Sequence, residues 1–226
     1  MSDALIGGLL SAAVAWLLLA TLWRMIQWAL TPSPLPIVLA PAPRTRAGVL
    51  GRLLLELFVF RSLARASMIT WLASLAFHYG LLLVLVVHLR FLIVPLPLWL
   101  LLFVRVSTWA ASFLVLGLAV LLIRRVLIDR LRYISTPSDY LHLLLLLGIA
   151  LSGAGLKYLW PVDLFATSQF LRGALSFNWQ PLPDNAGLWL HLALVILLLL
   201  IFPVSKLLHG FGILFSPTFN QRDPNR

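Results

Sequence analysis

Long apolar runs alternate with short polar stretches along almost the whole chain. A helix that crosses a bilayer needs about 20 mainly apolar residues, and five segments qualify: roughly residues 4–30, 67–94, 98–123, 138–160 and 186–209. A sixth apolar piece, residues 50–63, is interrupted by Arg52, Glu56 and Arg61, which predicts a helix lying at the interface or a loop packed against the bundle. Breakers separate the spans. Thr31-Pro32-Ser33-Pro34 and Pro41-Ala42-Pro43 predict a proline-rich loop, and Pro95-Leu96-Pro97 a tight turn between spans two and three. Residues 161–185 read as the longest external connection, with Trp160, Phe165, Phe170, Phe177 and Trp179 suited to a membrane–water boundary.

Composition narrows this to one class. Of the 226 residues, 62% are hydrophobic and only 11% charged, against about 25% charged in soluble domains. The expected fold is therefore an all-α membrane protein, a five-helix bundle forming a single membrane domain over residues 1–226, with residues 210–226 as a tail. The first span is too long for a cleavable signal and lacks a basic start, so it is expected to remain as a span.

The net charge of +10 follows topology. Arg24, Arg44, Arg46, Arg52, Arg61, Arg65, Arg124, Arg125, Arg130, Arg132, Lys206, Arg222 and Arg226 fall on one side of the spans, against Arg90, Arg105, Lys157 and Arg172 on the other. Thirteen to four predicts the N-terminus outside and the C-terminus in the cytoplasm. Basic residues gathered between apolar spans are not a phosphate-reading patch, so no nucleic-acid partner is expected.

The candidate chemistry is imidazole. There is no cysteine, which excludes disulfides, thioether-linked haem and iron–sulfur ligation by this chain. Four histidines lie within two apolar spans: His78 and His88 in span two, His191 and His209 in span five. Ionisable groups at membrane depth are costly and mark functional sites. Two per span suggest two iron centres, each taking one imidazole from either helix.

Depth matching in antiparallel spans pairs His88 with His191 as the outer couple and His78 with His209 as the inner one. The eighteen residues from His191 to His209 make five turns of a regular helix, so both rings are expected to face one way. The rises are unequal, about 15 Å in span two against about 27 Å in span five, and a bend at Pro203 is expected to take up part of the difference. His142, three residues after Asp139, reads as a boundary residue. Trp71, Phe77, Tyr79, Trp189 and Phe211 flank the four histidines and suit either the lining of a macrocycle or ordinary packing.

Phe77-His78-Tyr79-Gly80, His88, the pair His191 and His209, and Phe202-Pro203-Val204-Ser205-Lys206-Leu207-Leu208-His209 resemble the gamma-subunit family of respiratory nitrate reductase over roughly residues 67–217. Within it, residues 212–220 (Gly-Ile-Leu-Phe-Ser-Pro-Thr-Phe-Asn) and Ser135-Thr136-Pro137-Ser138-Asp139-Tyr140 are closer to the cytochrome b subunit of the Dsr membrane complex, linked to dissimilatory sulfite reductase.

The resemblance implies two haem b groups on the four histidines. It also implies menaquinone or ubiquinone as substrate, and electron exchange with a cytoplasmic iron–sulfur subunit resembling heterodisulfide reductase. Further membrane and extracytoplasmic redox subunits, and a bacterial or archaeal cytoplasmic membrane, belong to the same picture. Catalysis on the terminal substrate would lie on another chain.

One departure stands out. Nitrate reductase has a glycine before the outer ligand of helix two and a quinone-site lysine on helix three, whereas here Val87 precedes His88 and the nearest bases are Arg90 and Arg105. Arg105 is the candidate to polarise a quinone carbonyl, with snorkelling to the interface as its ordinary alternative. The competing functions are the quinone-reactive subunit of a nitrate reductase, and a transporter or proton channel using a histidine relay. The spans show neither the repeat symmetry nor the paired broken helices of transporters.

Overall fold

The computed structural model describes residues 2–32 and 41–223. Ser33, Pro34 and Arg226, used above for the first loop and the tail, lie outside the described residues. All regular structure among the described residues is helical: α1 (Ser2–Leu30), α2 (Arg46–Leu54), α3 (Arg61–Ala66), α4 (Met68–His88), α5 (Leu98–Leu127), α6 (Asp129–Ile134), α7 (Pro137–Tyr158), α8 (Leu164–Leu175), α9 (Ala186–Ile201), α10 (His209–Phe215) and α11 (Pro217–Asn220). Five stretches are long and apolar enough to cross a membrane: Asp3–Leu30, Met68–Phe91, Leu98–Leu127, Pro137–Tyr158 and Ala186–Val204. The chain forms two compact units, Met1–Ala15 with Leu72–Leu199, and Trp16–Trp71 with Leu200–Arg226.

In the first unit, α4 and α5 approach backbone to backbone. A Cβ on Gly80 would stand 2.7 Å from the Leu114 nitrogen, and one on Gly117 would stand 2.6 Å from the Phe77 nitrogen. Small residues at both crossing points let the helices touch where lipid offers no hydrophobic drive of its own. The string Ser135-Thr136-Pro137-Ser138-Asp139-Tyr140 has a folding role here. Thr136 and Asp139 form a reciprocal cap with Pro137 in the first turn of α7. Arg125 at the end of α5 donates to Ser135 at 2.7 Å and faces Asp139 at 3.6 Å, so the string ties the foot of α5 to the start of α7.

The connection 161–185 contains a helix that its flanking prolines and aromatics concealed. Asp163 accepts hydrogen bonds from the Phe165 and Ala166 nitrogens at 2.8 and 3.1 Å and so starts α8. Phe165 and Phe177 are exposed, but Phe170 and Ala174 are fully buried. They pack with Leu10, Leu182, Leu188 and Leu192. Phe170 is thus a core residue and not a boundary aromatic, because the helix puts it on the inward stripe with Thr167 and Ala174. The Ser11 hydroxyl donates to the Ala174 carbonyl at 2.6 Å, and Ser168 donates to the Phe91 carbonyl at 2.7 Å, which fixes α8 at both flanks.

In the second unit, the interrupted apolar piece 50–63 folds as α2, a π-helical turn at Leu55–Val59 and the start of α3, with no fully buried side chain. Phe60 adopts a left-handed conformation (φ 53°) at the joint, and Glu56 accepts from the backbone and hydroxyl of Ser62 to start α3. Arg52 lies 5.1 Å over the Phe219 ring, joining α2 to α11. Regular α-helix in span five ends at Ile201, giving way to 3-10 turns at Phe202–Val204 and Lys206–Leu208 around an extended Ser205. Pro203 lacks the N–H that would continue the ladder. The Leu200 carbonyl accepts from the Trp16 indole at 2.9 Å. His191 and His209 are therefore not joined by five turns of one regular helix, since α9 stops at Ile201.

Candidate haem-ligand site

His88 ends α4, where the chain tightens into a 3-10 turn at Leu89–Phe91. His191 lies in the second turn of α9. The structure brings the two rings together, with centroids 6.4 Å apart and planes inclined by 17°. Two in-line metal–nitrogen bonds of about 2 Å, with each ring centre roughly 1 Å beyond its nitrogen, give centroids about 6 Å apart. The observed spacing matches one iron taking an imidazole from each side, and it also lies within the range of about 4.5–7 Å for a direct ring pair.

The second nitrogen of each ring decides which one is free to ligate. His88 Nδ1–H donates to the Val84 carbonyl at 2.7 Å. His191 Nδ1 lies 2.9 Å from Ser152 Oγ, and that hydroxyl donates to the Ile149 carbonyl at 3.0 Å. The hydroxyl proton being spent on Ile149, His191 Nδ1–H is the donor to Ser152. Both Nε2 atoms are left with a lone pair, the tautomer a metal requires, and the Nδ1 partner also fixes the ring's rotation. Gly153 supplies room, since a Cβ there would stand 3.2 Å from His191 Cε1. Span four is thus part of the site, through two adjacent small residues that histidine spacing does not reveal.

The other two histidines repeat the arrangement, each within its own unit. His78 Nδ1 donates to the Ser74 carbonyl at 2.8 Å, and Phe77 packs against the ring at 4.3 Å between centroids. His209 Nδ1 donates to the Lys206 carbonyl at 3.0 Å. All four sequence-selected histidines therefore hold Nδ1 as donor. Among the described residues no group of three or more histidines and carboxylates converges as a protein-only metal site. Two imidazoles alone would suit a macrocycle that brings the remaining metal donors itself.

The remaining candidates are dispersed. Arg105 is exposed on α5 beside exposed Phe103, Val106 and Trp109, and makes no hydrogen bond or ion pair with either histidine of the couple. Trp71 and Trp189 spend their indole N–H groups on the carbonyls of Val59 and Pro183, and Tyr79 and Phe211 are exposed. The carboxylate beside His142, that of Asp139, belongs to the α7 cap.

Comparison with known proteins fits this arrangement. Residues 62–223 match the family described as nitrate reductase gamma subunit. The chain is 32% identical to an Hdr-like menaquinol oxidoreductase cytochrome b-like subunit of Archaeoglobus fulgidus, covering 95% of this chain and 78% of that protein. It is 29% identical to the subunit of the same description in Archaeoglobus profundus, covering 92% of this chain and 76% of that one.

Proposed function

The chain belongs to the nitrate reductase gamma-subunit family and is an integral membrane protein, and from that premise we propose that it is a di-haem b subunit carrying electrons between menaquinol and a cytoplasmic iron–sulfur subunit. The observation that carries the reading is the pair of near-parallel rings of His88 and His191, spaced for one iron and each with Nδ1 occupied. These two would hold the outer haem. His78 and His209 would hold the inner one, an assignment that rests on their order in the spans and on the same Nδ1 arrangement at each.

When bound, the haems supply reversible one-electron transfer. The chain's own residues do the rest. Val84, Ser152, Ser74 and Lys206 set the imidazole tautomers, and Gly153 keeps the His191 ring unobstructed. Arg105 would offer a guanidinium N–H to a quinone carbonyl near the outer face.

The thirteen basic residues assigned to the cytoplasmic side support the topology with the N-terminus outside, and give an acidic partner subunit a cationic face. The likeness to two Hdr-like menaquinol oxidoreductase subunits favours menaquinol over ubiquinone, and a partner like heterodisulfide reductase. Participation in sulfur metabolism rests on the strings at 135–140 and 212–220, within a single domain of a bacterial or archaeal cytoplasmic membrane.

A dithionite-reduced minus oxidised spectrum of the purified chain, with haem quantified as the pyridine haemochrome, tests the reading. Two b haems per chain are expected. A folded preparation with no haem would overturn it.

A further inference from the structure

Among the described residues, Arg90 is a charged side chain close to His88 with a donor that the protein leaves unmet. It lies in the 3-10 turn Leu89–Phe91, two residues beyond His88, held there by the Ser168 hydroxyl on the Phe91 carbonyl. Its guanidinium carbon stands 4.8 Å over the Phe91 ring, and that same ring stands 5.9 Å from the His88 imidazole. One phenyl ring thus touches both the candidate ligand and the cation. Arg90 Nε is buried without a hydrogen-bond partner among the described residues, and neither ion pair found there involves it.

A guanidinium at the edge of the hydrocarbon with a buried orphan N–H is unfavourable unless an anion completes it. The phenyl face offers a cation only part of what a carboxylate would. Among the described residues no carboxylate pairs with Arg90. A b haem carries two propionate carboxylates on its rim, and a fork of N–H donors matches a carboxylate in two-point fashion.

We propose that the Arg90 guanidinium binds a propionate carboxylate of the haem held by His88 and His191. This rests on the haem reading given above. Arg90 is a positioning residue: it would hold the carboxylate side of the macrocycle. Its fixed positive charge also favours the added electron, so the outer haem is easier to reduce than it would be beside a neutral side chain.

The test is a redox titration of the purified, haem-replete protein followed by optical spectra, comparing wild type, Arg90→Gln and Arg90→Lys. In Arg90→Gln one of the two haems is expected to lose about tenfold in its reduction equilibrium, about 59 mV downward for one electron, while the other stays put. Arg90→Lys, which keeps the charge and loses the fork, is expected to restore most of that potential.

Resonance Raman spectra give a second readout. The propionate bending band of one haem is expected to shift in Arg90→Lys, and this variant decides the matter if Arg90→Gln does not assemble. Haem-replete variants with both potentials and both propionate bands unchanged would overturn the proposal while leaving the di-haem reading intact; that outcome would hand Arg90 to a lipid phosphate. A wild-type protein without haem would overturn both.

Discussion

His88 and His191 face one another, yet the chain holds them by different means. His88 is oriented from within its own helix, by a main-chain carbonyl four residues earlier. His191 is oriented from another helix, by a serine hydroxyl that passes the bond on to Ile149, with Gly153 clearing space beside the ring. The first hold comes with helical geometry wherever a histidine adopts the right rotamer. The second exists only because α7 carries a hydroxyl and a missing side chain at adjacent positions. One half of the site is therefore insensitive to sequence around the ligand, and the other depends on two particular neighbours.

Substitutions can break that contrast in order of severity. Removing a ligand outright, by His88→Ala or His191→Ala, is expected to lower haem from two per chain to one in the haemochrome assay. Gly153→Val comes next. Its branches would enter the space of the His191 ring, and haem content is expected to fall toward the ligand-deletion value, with Gly153→Ala in between because a lone methyl meets Cε1 at 3.2 Å.

Ser152→Ala leaves the ring in place but removes the partner of Nδ1. Loss of such an orienting group costs about 10–100-fold in affinity for the metal group, readable as haem lost on dilution in detergent. Ser152→Thr is expected to retain most of it. At the small end stands Val84→Ala, whose carbonyl is untouched, so haem retention is expected within about twofold of wild type. A large loss there would show that His88 is not held by its own backbone.

The same contrast explains what could be read from the chain beforehand. Five spans were legible because a bilayer demands length and apolarity, and both are linear properties; the helices at Asp3–Leu30 and Met68–Phe91 lie close to the expected bounds. Histidine positions are equally linear. The contribution of α7 is not, since Ser152-Gly153-Ala154-Gly155 reads as generic small residues until a ring from another helix is set against it.

Helix α8 was hidden for a different reason. Its start signal, Asp163 before an apolar stripe, was present, but a connection rich in prolines and aromatics reads as boundary structure, and Phe170 declares itself only through the helical phase it shares with Ala174. In span five Pro203 was visible as a bend, whereas the extended Ser205 and two 3-10 turns require knowing which donors replace the lost ladder.

The clasp between Trp16 and Leu200 has a consequence for biogenesis. A span that stops being helical exposes a carbonyl to hydrocarbon, and such a segment is poorly accepted on its own. Here the donor belongs to an earlier span and the acceptor to a later one. Because the ribosome delivers the chain from its N-terminus, the indole is already in the bilayer when residue 200 emerges, and the irregular end of that later span arrives to find its hydrogen bond waiting.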